Sequence, residues 1–499
     1  MKHLLHCCWL LVVLCELPLG AEAPLVAGVG KDSRKSALRR RATPALVSVT
    51  QVVSRAAYES AGIVKKTGFV VDKKRGWIVT TSVPGGFGAA VSTYELTFAG
   101  GYKLEAKSLY RDPLYNIEVL VVDPRKIPDH VTPLSLEKQD TALQDTLVLG
   151  SKSDEQDIFQ QGLVTSVHEA RGVVTSYQSM RVSLNTPGAL LPGGPALNEG
   201  GKVVGLVLQA DQTFAACLWG GYLHEVLEAL QVKKRPKRLV VEGAHIQTYS
   251  LVDAFKYWQF PRARVDAFLR AYPQAQGHGL VVLERDPASS LQLGDVVVAI
   301  DGRTMGYSLF DFHTTLLKSK KNHVTFRVVR QGKEVTVEVP LRDVWPHVIK
   351  KMVAFGGAIF YESDLIGRRF FNVPLGTLMV SKVSSGGVFS NVFPPLPIQS
   401  DTPFFVATIL SLGNVKASSL DVLEKAIPRL AAQPRFPVIY QSHGTHFNGV
   451  TLETNRNQRF GAVDILFSTS LPEVLFWSES DYEWKTKTID VSTVKCLVK

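Results

Sequence analysis

Short β-type runs separated by turn residues dominate the chain from residue 45 to about residue 210. The runs are rich in Val, Ile, Leu and Thr, and Gly, Pro, Asp or Asn stand between them. Many short strands punctuated in this way are typical of an all-β barrel or sandwich. The clearest runs are 46–50, 68–72, 77–80, 117–122, 147–150 and 203–207. The sequence therefore predicts a mainly β domain over 45–232, which closes with a helix over 222–230.

Two segments that mix strand and helix patterns follow, over 240–345 and 350–450. Each has a glycine-containing turn that leads into a strand, and each later has a helix of apolar periodicity. The turns lie at 279–282 and 376–380, and the helices at 309–317 and 420–430. Because the order of elements repeats after about 100 residues, the sequence predicts a duplicated α+β module. Residues 451–499 are left as a C-terminal extension.

The N-terminus has the pattern of a secretory signal over residues 1–23. Its apolar run over 4–14 is too short to span a bilayer, and Ala21-Glu22-Ala23 fits the small-residue cleavage pattern. The sequence predicts entry into the secretory pathway and an extracellular, periplasmic or organelle-lumenal location, with a mitochondrial presequence as the alternative. Residues 24–44 are small, basic and low in aromatics, which predicts a flexible arm.

The chain is basic, with a formal net charge of +11 at pH 7. Such a charge favours anionic partners, and an anionic membrane surface is one of them. No nucleic-acid-binding motif accompanies the charge, so nucleic acid is not the expected partner. We interpret the basic run within 233–239 as a solvated linker between domains. A nuclear localisation signal is the competing interpretation, and the secretory N-terminus argues against it.

Cysteine usage indicates neither a disulfide framework nor a metal site. Three of the five cysteines lie within residues 1–23, which leaves Cys217 and Cys496. Two distant cysteines do not make a framework, and Cys217 lies in an apolar run typical of a buried thiol. The chain has no C-x-x-C and no H-E-x-x-H motif, so we expect no metal and no other cofactor.

Five motifs resemble the catalytic domain of the HtrA/Deg serine proteases. They are Thr67-Gly68-Phe69-Val70-Val71, Trp77-Ile78-Val79-Thr80-Thr81-Ser82-Val83, Asp112-Pro113-Leu114-Tyr115-Asn116-Ile117, Gln161-Gly162-Leu163-Val164-Thr165-Ser166 and Leu197-Asn198-Glu199-Gly200-Gly201-Lys202-Val203-Val204-Gly205-Leu206. The resemblance implies a trypsin-like double β-barrel over 45–232. Within the family, the pattern is most similar to the degenerate half of the tandem HtrA-like proteins of the fungal pro-apoptotic serine protease type.

The same resemblance places the family's catalytic triad on three changed residues. Val83 stands at the histidine position, Asn116 at the aspartate position and Pro192 at the serine position. Val83 cannot transfer a proton, and Pro192 has neither a hydroxyl group nor a backbone N–H. Leu190 replaces the glycine whose N–H supplies the other oxyanion donor in the family. The resemblance therefore implies a pseudoprotease without catalytic residues.

The two α+β modules resemble PDZ domains. In the first, Gly279-Leu280-Val281-Val282 resembles the carboxylate-binding turn and the strand after it. Backbone N–H groups in such a turn can cradle a C-terminal carboxylate, and the strand would offer an edge for β-augmentation. The alternative is that this module packs on the barrel and binds no peptide. The second module is more divergent, and a proline-rich run at 393–397 replaces the usual short helix.

These observations favour a catalytically inactive scaffold or chaperone-like factor that binds protein or peptide C-termini through its PDZ module. A homo-oligomer and a complex with an active protease are the further partners that the resemblance suggests. One alternative is an active hydrolase of the family that uses Cys217, His168 or His224. The other is a factor that binds anionic lipid or nucleic acid through its charge, in which case binding would weaken steeply with salt.

Overall fold

The structure is a computed structural model, and it describes most of the 499-residue chain. The described residues are 29–58, 62–82, 89–137, 146–153, 156–172, 174–185, 190–383, 387–392, 406–433, 435–443, 446–447, 450–451, 458–464, 471–478, 480–481 and 483–491. The predicted signal over 1–23, Val83, Cys496 and the proline-rich run at 393–397 lie outside them. Within them, no helix is both long enough and apolar enough to cross a membrane.

The segment before the first strand is a helix, α1 (Val29–Ala42). Leu38 and Ala42 are buried, and the guanidinium group of Arg41 donates a hydrogen bond to the carbonyl of Gly200. The prediction of a flexible arm over 24–44 is therefore wrong for residues 29–42. The apolar residues near the end of the helix give it a surface to pack against, which its basic composition did not indicate.

The β domain folds as two closed barrels, as predicted. The first contains β1 (Leu46–Ala56), β2 (Gly62–Asp72), β3 (Trp77–Thr81), β4 (Ala90–Thr97), β5 (Lys103–Arg111) and β6 (Ile117–Val121), in the order β1-β2-β3-β6-β5-β4. The second contains β7 (Thr146–Lys152), β8 (Asp157–Arg171), β9 (Tyr177–Leu184), β10 (Pro195–Leu197), β11 (Val203–Ala210) and β12 (Phe214–Trp219), in the order β10-β11-β12-β9-β8-β7. Helix α2 (Gly220–Gln231) follows and buries Leu223 and Val226.

An ion pair is buried inside the first barrel. Lys66 Nζ lies 3.3 Å from Glu118 Oε2, both side chains are fully buried, and Lys66 also donates to the carbonyl of Thr81 at 2.7 Å. The hydroxyl of Tyr94 donates to the other carboxylate oxygen at 2.7 Å. Burial opposes the charge on Glu118, but Arg111 and Lys66 outweigh it and lower its pKa to about 2. This network holds the end of β3, where the candidate site begins.

The first α+β module is built on one antiparallel sheet. Its elements are β13 (Leu239–Val241), β14 (Ala244–Ser250), α3 (Leu251–Trp258), α4 (Arg262–Ala271), β15 (His278–Arg285), β16 (Val296–Ile300), β17 (Arg303–Thr304), α5 (Leu309–Lys318), β18 (His323–Arg330) and β19 (Lys333–Asp343). The strand order is β13-β19-β18-β16-β15-β14, with β17 beside β16. Helix α5 buries Phe312 and Leu316 against Leu280 and Val282 of β15.

The second α+β module has a larger sheet. Its elements are β20 (Lys351–Phe355), β21 (Ala358–Glu362), α6 (Leu365–Phe371), β22 (Leu378–Val383), β23 (Val406–Leu412), β24 (Val415–Lys416), α7 (Leu420–Ala431), β25 (Arg435–His443), β26 (His446–Phe447), β27 (Val450–Thr451), β28 (Gln458–Asp464), β29 (Glu473–Ser478) and β30 (Glu483–Thr488). The main strand order is β28-β25-β23-β22-β21-β20-β29-β30. Strands of the predicted C-terminal extension thus complete both ends of this sheet. The predicted fold class, mainly β with a double barrel and two α+β modules, is confirmed.

The basic run at 233–238 ends in a fully buried arginine. Arg238 Nε and Nη2 donate to Asp112 Oδ2 at 2.8 and 2.5 Å, and its Nη1 donates to Glu225 Oε1 of α2 at 2.7 Å. Its backbone carbonyl accepts the N–H of Val344 at 2.9 Å. The interpretation of this run as a solvated linker is therefore wrong at its last residue, which ties the first α+β module to the first barrel.

We predict that Arg238→Met lowers the free energy of unfolding by about 3–5 kcal/mol, because it leaves the Asp112 carboxylate buried without its partner. Urea unfolding followed by circular dichroism measures this change. Lys103→Met is the matched control. Its ion pair with Glu95 is exposed, so its loss costs less than about 1 kcal/mol. An Arg238→Met protein as stable as the control would contradict the assignment.

Candidate functional site

The loop at 190–195 lies between the two barrels, at the position that the resemblance assigns to the nucleophile. The carbonyl of Pro192 accepts the N–H of Thr67, on β2 of the first barrel, at 2.8 Å. The N–H of Gly193 donates to the carbonyl of Val207, on β11 of the second barrel, at 2.7 Å. The loop is therefore held by hydrogen bonds to both barrels.

No backbone N–H of residues 191–193 is available to stabilise an oxyanion. The N–H of Leu191 donates to Ser151 Oγ at 2.9 Å, and that of Gly193 is already used. Pro192 has no N–H at all. An oxyanion hole needs donors that point at substrate rather than into the protein. These three consecutive residues supply none.

The two glycines of the loop are required by packing. Gly193 has φ of +93°, and a Cβ there would lie 2.1 Å from the carbonyl oxygen of Thr67. A Cβ on Gly194 would lie 1.8 Å from the carbonyl oxygen of Gly150. Both distances are far below any tolerated contact, so only glycine fits. This requirement holds whether or not the loop carries a nucleophile.

Leu190, at the oxyanion-glycine position, is a core residue. Its side chain is only 5% exposed and lies in the interior cluster of the second barrel with Leu149, Met180 and Cys217. A glycine would leave this space unfilled. The leucine therefore anchors the loop by burying apolar surface.

Asn116 lies at the turn before β6 with φ of +59°, a left-handed conformation that asparagine tolerates well. Its Oδ1 accepts a hydrogen bond from the hydroxyl of Ser82, and its carbonyl accepts the N–H of Ser82 at 3.1 Å. The structure thus brings Asn116 to the residue immediately before Val83. No motif in the sequence pointed to Ser82 as the partner of Asn116.

The alternative catalytic residues do not form a reactive group. Cys217 is fully buried, and burial raises the pKa of its thiol to about 12, so a thiolate is strongly disfavoured. His224 pairs along α2 with Glu228 at 3.3 Å. His168 stacks on His278 of the first α+β module. Neither histidine is paired with the Cys217 thiol, so neither activates it.

The predicted peptide-binding residues Gly279, Leu280, Val281 and Val282 lie in β15. This strand pairs with β14 along its whole length. On its other side, Val281 pairs with Val296 of β16, and Val282 bonds to Gly294 and Asp295 just before β16. The prediction that this strand offers a free edge for β-augmentation is therefore wrong. Leu280 and Val282 face the α5 side of the module, and the sequence could not show that 244–250 would take the neighbouring position.

Strand β14 is one of the two edge strands of this sheet, and β13 is the other. The N–H of Leu251 bonds to the carbonyl of Gly277, and antiparallel pairing alternates, so Tyr249 and Gln247 also face β15. Ile246, Thr248 and Ser250 therefore direct their backbone groups away from β15. The side chain of Thr248 lies on the same face of the sheet as Ile246, and its hydroxyl donates to the carbonyl of His168 on β8 at 2.5 Å. The outer edge of β14 is thus an edge that this sheet can offer to another strand, and the second barrel contacts the module next to it.

Among the described residues, no group of three or more His, Cys, Asp or Glu side chains is arranged to hold a metal ion. The fully buried carboxylates of Asp112 and Glu118 instead pair with Arg238 and Lys66.

We predict that Leu190→Ala lowers the free energy of unfolding by about 2–4 kcal/mol, because it leaves a cavity in the second barrel. Leu191→Ala is the matched control, since this neighbouring side chain is only half-buried and should cost less than about 1 kcal/mol. Thermal and urea unfolding of the two variants measure the difference. Equal losses would show that Leu190 is not the anchor of the loop.

Comparison with known proteins agrees with this geometry. The trypsin-like peptidase domain family matches residues 66–206. The uncharacterized protein RP187 of Rickettsia prowazekii is 25% identical over 190 residues, which cover 38% of this chain and 97% of that protein. Protease Do-like 7 of Arabidopsis thaliana is 23% identical over 454 residues, which cover 86% of this chain and 40% of that protein.

The pro-apoptotic serine protease NMA111 of Eremothecium gossypii is 26% identical over 348 residues, covering 66% of this chain and 35% of that protein. This chain thus spans well under half the length of these two long relatives. Among solved structures, the HtrA-type protease AlgW with tripeptide aligns with a TM-score of 0.43 and 15% identity, over 62% of this chain and 97% of that one. The two barrels, the matched peptidase domain and these relatives show that this chain is similar to the HtrA/Deg proteases.

Proposed function

We propose that this chain is a non-catalytic member of the family that binds peptide segments. The observation that carries the first half of the proposal is the hydrogen bonding of the loop at 191–193. The N–H groups of these three residues are either missing or used inside the protein, so the oxyanion donor that the family has at position 192 is absent. The sequence adds that no histidine occurs between His6 and His130, across the whole first barrel.

Restoring one residue should not restore catalysis. We predict that both the purified full chain and its Pro192→Ser variant leave fluorescent casein uncleaved. The serine regains a hydroxyl and an N–H, but Val83 cannot deprotonate it. Cys217→Ala serves as the control for the alternative thiol mechanism and should behave identically. Casein cleavage that disappears in Cys217→Ala would overturn the non-catalytic proposal.

For the binding half of the proposal, we assign the outer edge of β14 as the peptide site. An edge strand presents unpaired N–H and C=O groups that an extended peptide can pair with. The groups are those of Ile246, Thr248 and Ser250, as the register with β15 indicates. The partner is thus an extended segment of another protein, or a peptide C-terminus. A homo-oligomer or a complex with an active protease could present such a segment.

We predict that Thr248→Pro weakens binding of a fluorescent valine-rich decapeptide by at least about tenfold, because proline removes the outward N–H while edge positions tolerate its ring. Thr248→Val is the matched control. It keeps the N–H and loses only the hydroxyl bond to His168, so it should bind at least as well as the original chain. Fluorescence anisotropy measures both, at pH 7.5 and at pH 5.0. Equal affinities for the two variants would refute the β14 edge, and an amidated peptide tests whether the C-terminal carboxylate is needed.

The competing proposal, attraction to anionic lipid or nucleic acid through net charge, predicts a different salt response. Affinity that falls steeply with salt concentration would favour it, whereas strand addition rests on uncharged backbone groups and changes little. Running the anisotropy titration at two salt concentrations separates the two proposals with the same probe.

A further inference from the structure

Four histidines lie where the second barrel meets the first α+β module. His168 is on β8 of the barrel, while His245, His278 and His313 are on β14, β15 and α5 of the module. We call this contact the histidine junction. Histidine is the side chain whose ordinary pKa lies near neutrality, so a cluster of four across one interface makes that interface sensitive to acid.

His245 is held in a neutral tautomer by its two partners. Its Nδ1 contacts the guanidinium group of Arg369 on α6, and arginine can only donate, so Nδ1 carries no proton. Its Nε2 lies 2.7 Å from Ser176 Oγ, next to the second barrel's β9, and donates to it. Burial and the Arg369 charge lower the pKa of His245 well below its ordinary value. Glu284, opposite His245 on β15, is itself paired with Arg369.

His313 is almost completely buried against the second barrel. Its Nδ1 lies 3.2 Å from the hydroxyl of Tyr222 on α2, and its Nε2 lies 3.4 Å from Thr175 Oγ1. Burial and then Arg238 lower the pKa of His313 to about 3, while Asp112 opposes the shift. Since Asp112 is already paired with Arg238, it does not supply a free counter-charge for a protonated ring.

His168 and His278 stack on each other across the interface, with ring centroids 4.1 Å apart. Within the described residues, the buried Nδ1 of His168 has no hydrogen-bond partner, whereas His278 Nδ1 donates to the carbonyl of Gln276 at 3.1 Å. Burial, and then His278, lower the pKa of His168 to about 4. Glu169, the next residue on β8, is paired with Arg171 and Arg181 and so is already neutralised.

We propose that the histidine junction is an acid-released latch, which at neutral pH holds the second barrel beside the outer edge of β14 and at low pH lets the module swing away and frees that edge. The functional consequence, that a freed edge binds peptide, rests on the proposed function. The latch itself does not, because it is defined by the contacts between the barrel and the module.

The direction of the pH effect follows from the neutral rings. Once released, His168, His245 and His313 titrate near the ordinary histidine pKa of about 6.5, whereas their docked rings resist protonation. The docking energy is therefore fully present above pH 6.5 and is lost as the pH falls from 6.5 towards the docked value, about 4 for His168. At pH 5, protonation of one ring with a docked pKa of about 4 shifts the equilibrium between the docked and the released module towards release by about 30-fold.

The test compares the full chain with the triple variant His168→Gln, His245→Gln, His313→Gln. Glutamine is neutral at every pH used and can donate and accept at similar positions. Hydrogen exchange of β14 and small-angle scattering are measured on both proteins at pH 7.5 and pH 5.0, without peptide. Comparing the proteins at one pH removes the intrinsic pH dependence of exchange. The control is His130→Gln, His323→Gln, two exposed histidines outside the junction.

We expect equal protection of β14 at pH 7.5. At pH 5.0, β14 of the original chain and of the control should exchange at least about tenfold faster than β14 of the triple variant, with a larger radius of gyration. Equal protection in all three proteins at pH 5.0 would overturn the latch. If circular dichroism shows that the triple variant does not fold, His168→Gln alone decides, because its Nδ1 makes no hydrogen bond that the substitution could break. A latch that opens while the decapeptide fails to bind would refute the proposed function and not the latch.

Discussion

The buried ion pair between Arg238 and Asp112 connects the first barrel to the first α+β module. Asp112 Oδ1 accepts the N–H groups of Leu114 and Tyr115, which fixes the turn that carries Asn116. Its Oδ2 receives two hydrogen bonds from Arg238, the residue at which the first α+β module begins. One carboxylate therefore holds both the turn that carries Asn116 and the start of the first α+β module. An ion pair so deeply buried is costly to break by removing one partner, so both features are fixed together.

Most of the sequence motif in the loop at 190–195 serves the fold. Gly193 and Gly194 approach the backbone of Thr67 and Gly150 so closely that no other residue fits, and Pro195 begins strand β10. At the positions that the resemblance assigns to the triad and the oxyanion glycine, two residues have structural partners. Leu190 fills the barrel interior, and Asn116 binds Ser82. The two glycines are required by packing, whatever chemistry the loop carries.

Local patterns predicted the barrels and helices α2, α5 and α7, because strand runs, turn residues and apolar periodicity are written in contiguous sequence. Three features were not predicted, and each depends on contacts between residues that are distant in sequence. Residues 29–42 form a helix that buries Leu38 and Ala42, Arg238 finds Asp112 across 126 positions, and β14 takes the edge that β15 was expected to offer. The sequence located the residues of the candidate site. It could not show which backbone N–H groups are used within the protein, because that depends on the hydrogen bonds of the folded loop.

His245 gives the molecule a way to couple all three of its parts. Its ring lies between Ser176 beside the second barrel and Arg369 of the second α+β module, and it belongs to β14 of the first. Arg368 forms an ion pair with Asp286 at 2.6 Å, so helix α6 contacts the first module at a second point near β14. A proton on His245 would oppose Arg369 directly and remove the acceptor that this arginine needs. The second module therefore contributes to the stability of the histidine junction. A displacement of α6 would change the contacts of His245 on β14 without any change in the barrels.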